Sequence, residues 1–431
     1  MSSVQADTHL GGTEVTNSGR WLQLVFGVIC MAMIANLQYG WTLFVNPIAE
    51  ATGWTKAADM IAEANKLTLK AGYAYCDATE AYPEEFVRAM TEAGWLAALI
   101  PEAYGGSGLG LLDACVILQE INGAGGNGAA CHAQMYTMAS VLGHGSEAQK
   151  QAILPRIANG SLRLQAFGVT EPDAGSNTLK IKTFARKVNG GYVINGQKIW
   201  TSRFRQSDMY LLLARTTPYE DVKKKTDGLS LFLVDIAKAG KSLQPRTIDT
   251  MLNHHTNEVF IENLEIGDEW RIGEEGKGFS YLLGSLNAER LLVASECVGD
   301  GKWFIERARQ YATQRIVFDK PIGANQGVAF PIAKAHMNLS AAELMRNQAA
   351  SLFDAGLPCG GEANMAKYLC SEASWEAAEA AMTTFGGFGV AREYDIERKW
   401  KETRLFRTAP ISNNLVLAYV AQHLLEMPRS Y

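Results

Sequence analysis

The spacing of apolar positions changes character three times along the chain. No charged residue occurs between Arg20 and Glu50, and the intervening WLQLVFGVICMAMIANLQYGWTLFVNPI is longer than the roughly 20 apolar residues a bilayer-crossing helix needs. Residues 21–48 are therefore a transmembrane candidate, preceded by a disordered tail over residues 1–20. A secretory signal does not fit, because its apolar core is only about 7–15 residues long and runs into a small-residue cleavage site. From 55 to 160 the apolar residues of PEEFVRAMTEAGWLAALI, LLDACVILQEI and AACHAQMYTMASVLGHG recur at three-to-four spacing, which predicts a helical domain. Pro83 suits a first helical turn, and Ser146-Glu147 opens another helix by N-capping and a favourable dipole charge. The glycine-rich run from Gly105 to Gly110 follows a helix and not a strand, so it reads as a loop and not as a dinucleotide fingerprint.

Between 161 and 268 the period falls to two. KIKTFARKV, YVINGQKIW, MYLLLART, LSLFLVDI and NEVFIENLEI are rich in β-formers, and Asn189-Gly190-Gly191 is a hairpin signal. This block predicts an antiparallel β-barrel or sandwich. From 278 to 431 long helical patterns return, in LLGSLNAERLLVASECVGDGKWFIERARQYA, AFPIAKAHMNLSAAELMRNQAASLFDAG and ANMAKYLCSEASWEAAEAAMTTF. The order helices, sheet, helices, behind an extra N-terminal apolar helix, makes the chain an α+β multidomain protein.

Composition narrows the function classes. The 431 residues are 47% hydrophobic and 20% charged, enough for about three ordinary globular domains. A net charge of −5 with scattered Lys and Arg argues against nucleic acid as a partner. The seven cysteines are far apart and form no C-x-x-C pair, which argues against disulfide or zinc scaffolding. The seven histidines, with neighbour pairs Cys131-His132 and His254-His255, lack metal-clamping spacing and read as structural or loop residues.

Two segments carry candidate chemistry. Phe167 to Ser176 ends a strand in a hydroxyl-rich turn in which Pro172 fixes φ and Gly175 is free to take positive φ. Such a turn leaves backbone N–H groups available to an anionic or carbonyl-rich ligand. Asn195 to Ser202 ends another strand in Trp200, Thr201 and Ser202, an aromatic face with hydroxyls beside it. Taken singly, an ordinary β-turn and a packing tryptophan are the commoner readings.

Taken together, VTEPDAGS and NGQKIWTS, in that order and separated by a β-rich stretch, closely resemble the acyl-CoA dehydrogenase family. PEAYGGSGLGLLDA, GEEGKGF, LNAER, the set Arg315, Phe318 and Gln326, and GGFG at 386–389 match as well, and the resemblance covers about Tyr82 to Tyr431. It implies a helical N-terminal domain, a β middle domain and a C-terminal four-helix bundle, with FAD between the last two. By motif position, Phe167, Val169, Thr170 and Ser176 line the isoalloxazine, Trp200 packs against it and Ser202 stands near N5. Arg315, Phe318 and Gln326 look like residues that reach the FAD of a neighbouring subunit. Thr383, Gly386 and Gly387 resemble the pyrophosphate segment, with Thr383 where many relatives have Gln, and Ser412 joins the cofactor contacts. Ser176, Asn287, Arg290 and Ile411 fall at substrate-binding positions.

The resemblance implies removal of an α-proton by a carboxylate and of a β-hydride by the flavin, with acyl-CoA as substrate. Most relatives carry the carboxylate near the C-terminus, where this chain has Pro410, which cannot be a base. Isovaleryl- and long-chain-type relatives carry it on the helix that here holds Asn287-Ala288-Glu289-Arg290, and Glu289 matches that position. Leu282, Leu286, Glu289 and Val293 share one helical face, so the carboxylate sits among apolar side chains. On periodicity alone an ion pair with Arg290 or another cation is the commoner fate for such a Glu, and Glu296, two turns on, is the reserve base.

The resemblance further implies electron-transferring flavoprotein as acceptor and a homo-oligomer, dimer or tetramer. Two other readings stay open: an oxygen-using acyl-CoA oxidase relative, and a catalytically silent membrane-tethered flavoprotein. The segment over 20–56 is similar to the first transmembrane helix of oxalate/formate-type major facilitator antiporters, so it is either a membrane tether or a fusion product. Lys56, Lys66 and Lys70 after it favour a cytoplasmic enzyme domain.

Overall fold

The computed structural model describes residues 81–429. The tail and the apolar helix expected over 1–48 lie outside them, and among the described residues no helix is long and apolar enough to cross a membrane.

The N-terminal helices are α1 (Glu84–Glu92), α2 (Leu111–Gly123), α3 (Ala129–His144) and α4 (Glu147–Ala158). Pro83 caps α1, which buries Phe86, Val87 and Met90 on one side. Ser146 caps α4 in a reciprocal capping box with Gln149, an arrangement worth about 1 kcal/mol. Gln149 also donates to the carbonyls of Glu269 (2.8 Å) and Arg271 (2.9 Å), which ties α4 to the β domain. The free N–H groups at the start of α2 meet a distant partner: Asp354 accepts from Leu111 N at 2.6 Å and Leu112 N at 3.0 Å. Gly110 is required there, since a Cβ would lie 2.6 Å from an Asp354 carboxylate oxygen.

The middle domain is one eight-stranded sheet. Its strands are β1 (Ala166–Gly168), β2 (Phe184–Val188), β3 (Gly191–Ser202), β4 (Met209–Arg215), β5 (Leu229–Asp235), β6 (Leu243–Thr247), β7 (Thr256–Gly267) and β8 (Arg271–Ile272). Their order is β6-β7-β3-β2-β4-β5-β8, with β1 on β4. The hairpin at Asn189-Gly190 joins β2 to β3, with Gly190 at φ 77°. Of the expected antiparallel barrel or sandwich, the closed barrel is not found. β6 and β8 end the sheet without pairing with each other, and β1–β4 and β2–β4 run parallel. Apolar burial still occurs on two faces. Met209, Leu211 and Leu213 of β4 pack towards Met138, Val141, Ile153 and Leu154 of the helices. Tyr210, Leu212 and Ala214 join Tyr192, Ile194, Phe232, Val259 and Ile261 in a second cluster, so the sheet curls round a core of its own. This double burial explains why β4 is continuously apolar.

The C-terminal layer holds α5 (Gly278–Gln314), α6 (Gln326–Asp354) and α7 (Gly360–Phe385), with the shorter α8 (Ile396–Leu405) and α9 (Asn413–Tyr419). The C-terminal domain is helical as expected, with three long helices and two shorter ones. Glycines on α5 allow close approach: a Cβ on Gly299 would lie 2.3 Å from the Gln119 carbonyl of α2, and one on Gly301 would lie 2.6 Å from Leu339 of α6. Charges are buried here in pairs. Lys399 of α8 meets Asp300 of α5 and donates to the Gly126 carbonyl at 2.8 Å, while Arg398 binds Glu402 and the Gly125 carbonyl, both at 2.8 Å. These bonds fasten the α2–α3 turn to the bundle. Burial pushes the Asp300 carboxyl up to about 6 against the pull of Lys399.

Candidate active site

Helix α5 positions the central carboxylate. Leu282, Glu289 and Val293 are all buried, Glu289 with 7% of its surface exposed. Arg290 donates to Asn287 at 2.8 Å rather than pairing with Glu289, so the ion pair weighed for this residue does not form. Burial raises the Glu289 carboxyl above its ordinary value, while the charges of His132 and Arg290 pull it back. A desolvated carboxylate of raised basicity is suited to accept a proton near neutral pH.

Helix α3 supplies the opposing wall, antiparallel to α5. Cys131 feels the charge of Glu296, whereas Tyr136, one turn further along α3, feels that of Glu289. His132 Nδ1 lies 3.3 Å from Glu296 Oε2, and its ring lies 5.0 Å from that of Tyr136. Tyr136 in turn meets Phe167 of β1 edge-on at 5.6 Å. Glu289, Tyr136 and Phe167 therefore face one region where all three domains meet. His132 was expected to be structural and Tyr136 was not singled out; their four-residue spacing on one face of an apolar helix was the available signal.

The TEPDAGS turn is fastened by Glu171. Its carboxylate accepts from Lys182 N at 2.5 Å, Thr183 N at 2.9 Å and the buried Lys198 Nζ at 2.8 Å. Lys198 also donates to the Val169 carbonyl at 3.0 Å, and Ile199 N donates to the Thr170 carbonyl at 2.9 Å. Val169 and Thr170 are thereby locked beside β3. Burial lowers the Lys198 ammonium to about 8 despite Glu171. Gly175 does not adopt positive φ, contrary to expectation, because a bridge between Glu171 and Ala174 already closes the turn. Ser176 is exposed. Trp200 sits on an irregularity of the β3–β7 pairing with φ 63° and 56% exposure, and Ser202, half-buried, ends the strand.

Near the C-terminus, Lys367 of α7 donates at 2.6 Å to both the Ile411 carbonyl and Asn413 Oδ1. Ser412 caps α9, accepting from Leu415 N at 3.3 Å. This fixes the segment carrying Pro410. Lys367 also feels the charge of Arg290.

Arg315, Thr384, Gly387 and Phe388 line a groove of about 510 Å³. Phe318, 94% exposed with φ 51°, projects from the adjoining hairpin Ile316–Pro321, and Gln326, Thr383 and Gly386 are exposed as well. Glu289 and Arg315 stand 26 residues apart along α5 and its end, roughly 39 Å at 1.5 Å per residue. Arg315 therefore lies far along the chain's helical layer from the predicted base.

These surfaces suit a large planar, anionic cofactor. The exposed indole offers a stacking face, Arg315 a cation, and Gly386 and Gly387 a backbone without side chains.

Comparison with known proteins bears on all three domains. The acyl-CoA dehydrogenase N-terminal, middle and C-terminal domain families match residues 56–161, 166–264 and 276–425, so the likeness begins earlier than Tyr82. "Acyl-CoA dehydrogenase fadE12" of Mycobacterium bovis is 36% identical, covering 78% of this chain and 87% of that one. Cyclohex-1-ene-1-carbonyl-CoA dehydrogenase of Syntrophus aciditrophicus is 33% identical, covering 81% and 84%. Butyryl-CoA dehydrogenase of Megasphaera elsdenii superposes with a TM-score of 0.78 at 27% identity, covering 85% and 97%. On this combination of domain matches, full-length relatives and fold, the chain belongs to the acyl-CoA dehydrogenase family of FAD-dependent oxidoreductases.

Proposed function

We propose that the protein oxidises an acyl-CoA thioester to the trans-2-enoyl-CoA, with Glu289 as the base. The observation that carries this reading is the burial of Glu289 among apolar side chains without an ion-pair partner in Arg290. Its carboxylate accepts the α-proton and becomes a neutral acid. FAD held there would supply the acceptor for the β-hydride, so that two hydrogens would leave as one C=C bond forms. Asn287 and Arg290, together with Ser176 and Ile411, orient the thioester and its CoA. Phe167, Val169, Thr170, Trp200, Ser202 and Ser412 hold the flavin ring, and the Glu171–Lys198 pair keeps Val169 and Thr170 in place. Pro410 takes no proton, which leaves Glu289 without a competitor at that position.

Arg315, Phe318, Gln326, Thr383, Gly386 and Gly387 serve the cofactor of a second copy. The exposure of Arg315, Phe318 and Gln326 far along α5 from Glu289 supports this. The protein is accordingly a homo-oligomer. Electrons pass to an electron-transferring flavoprotein, a reading supported by a 32% identical relative from Acetobacterium woodii named "Caffeyl-CoA reductase-Etf complex subunit CarC". Residues 21–48 tether the enzyme domain to the cytoplasmic side of a membrane; recovery of the full-length chain in a high-salt wash of membranes would remove the tether.

The test is anaerobic titration of the FAD-loaded protein with a panel of acyl-CoAs of differing length and branching. Bleaching of the flavin absorbance with at least one thioester is expected. No bleaching with any of them would leave a silent flavoprotein, and stoichiometric peroxide in air would make it an oxidase.

A further inference from the structure

Behind the proposed base lies a buried pair with no role in the chemistry above. Glu296 has no exposed surface, and neither of its carboxylate oxygens makes a hydrogen bond of good geometry; His132 Nδ1 lies 3.3 Å away. His132 Nε2 is also buried and unbonded. A buried carboxylate left without a partner is costly by several kcal/mol, so His132 is read as the group that compensates Glu296. Glu289 and Glu296 lie two turns apart on α5, and α3 runs antiparallel to it, so the His132 ring stands between Glu296 and the Tyr136–Glu289 end of the site. We propose that His132 is a positioning residue for Glu289: anchored by Glu296, it holds its imidazole on the base's side of the pair and favours the charged carboxylate that is ready for substrate. This rests on Glu289 being the base.

Other groups face the same space. On α3 they are Cys131 and Tyr136, and on α5 they are Glu289, Arg290 and Glu296. From the β domain come Arg203 and His254, the latter driven down to about 3 by burial and by Arg203, with Glu402 of α8 beyond it. His254 is thus neutral at working pH, and Arg203 is not paired with Glu289. The effect of His132 on Glu289 runs in the direction of lowering its proton affinity. Removing the imidazole therefore moves the acid limb of the base to higher pH.

Full-length, FAD-loaded wild type, His132→Gln and Glu296→Gln would be compared across pH by two readouts. One is the anaerobic rate of flavin bleaching. The other is α-hydrogen exchange into D₂O of 3-thiaoctanoyl-CoA, followed by NMR; its sulfur at position 3 leaves no hydride to transfer. For His132→Gln the ratio of acid-limb rate to alkaline plateau should fall about tenfold, a rise of about one pH unit in the limb. Glu296→Gln should move it the same way by less. A His132→Gln profile that superimposes on the wild type overturns the proposal. If His132→Gln loses its flavin, the Glu296→Gln profile decides alone, and loss of flavin in both overturns it too, since a residue acting only through Glu289 leaves FAD binding intact. Wild type that neither bleaches nor exchanges refutes the enzymatic reading itself.

Discussion

Glu289→Gln is the perturbation that separates chemistry from folding at this site. Glutamine has the shape of glutamate, so at 7% exposure it opens no cavity, and Arg290 keeps its bond to Asn287. Because burial raises the carboxyl above its unfolded value, the folded chain holds the extra proton between the two values. Stability of the wild type therefore declines as pH rises from the ordinary carboxylate range through the raised folded value, and the burden persists above it. The amide has no such slope, so the variant should melt no lower than wild type at neutral pH, and the difference should vanish in acid. General-base catalysis contributes about 10²–10⁴-fold, or about 3–5 kcal/mol of barrier, and flavin reduction should slow by that factor. Stopped-flow bleaching under anaerobic conditions measures the rate, and the flavin-to-protein absorbance ratio checks that FAD is retained. A rate within threefold of wild type at full flavin content would refute the role of Glu289.

Lys198→Met removes the partner of a buried carboxylate; a loss of about 3–5 kcal/mol in urea denaturation is expected, and the double variant with Glu171→Gln should recover much of it. Trp200→Gly relieves a positive-φ non-glycine at a half-exposed position, so stability should hold or rise by up to about 1 kcal/mol while flavin content falls. Retained flavin would contradict the stacking role. Gly168→Ala places a Cβ 1.9 Å from the Tyr210 hydroxyl in the β1–β4 pair, and thermal melting should show a loss of about 1–3 kcal/mol that Tyr210→Phe partly restores.

Much of the architecture was legible in the chain because the burial of a stripe is a local property. Apolar spacing marked the helices and the β block, Asn189-Gly190 marked a turn, and Ser146 with Gln149 marked a helix start. The same periodicity put Glu289 on the apolar face of α5. Which surface that face meets was decided by tertiary structure: His132 and Tyr136 come from a helix more than 150 residues earlier, and a histidine read as structural sits against Glu296. Strand order was equally out of reach. Residues of β4 alternate in the same way in an open or a closed sheet, and only non-local pairing left β6 and β8 as edges. Gly110 needs no side chain because of Asp354, 243 residues away from Leu111, and Gly175 needs no special conformation because the Glu171–Ala174 bridge closes its turn. Sequence spacing carries the face a side chain takes on its own element; the partner across the gap, and with it the dielectric and charge around an acid such as Glu289, exists only once distant elements pack.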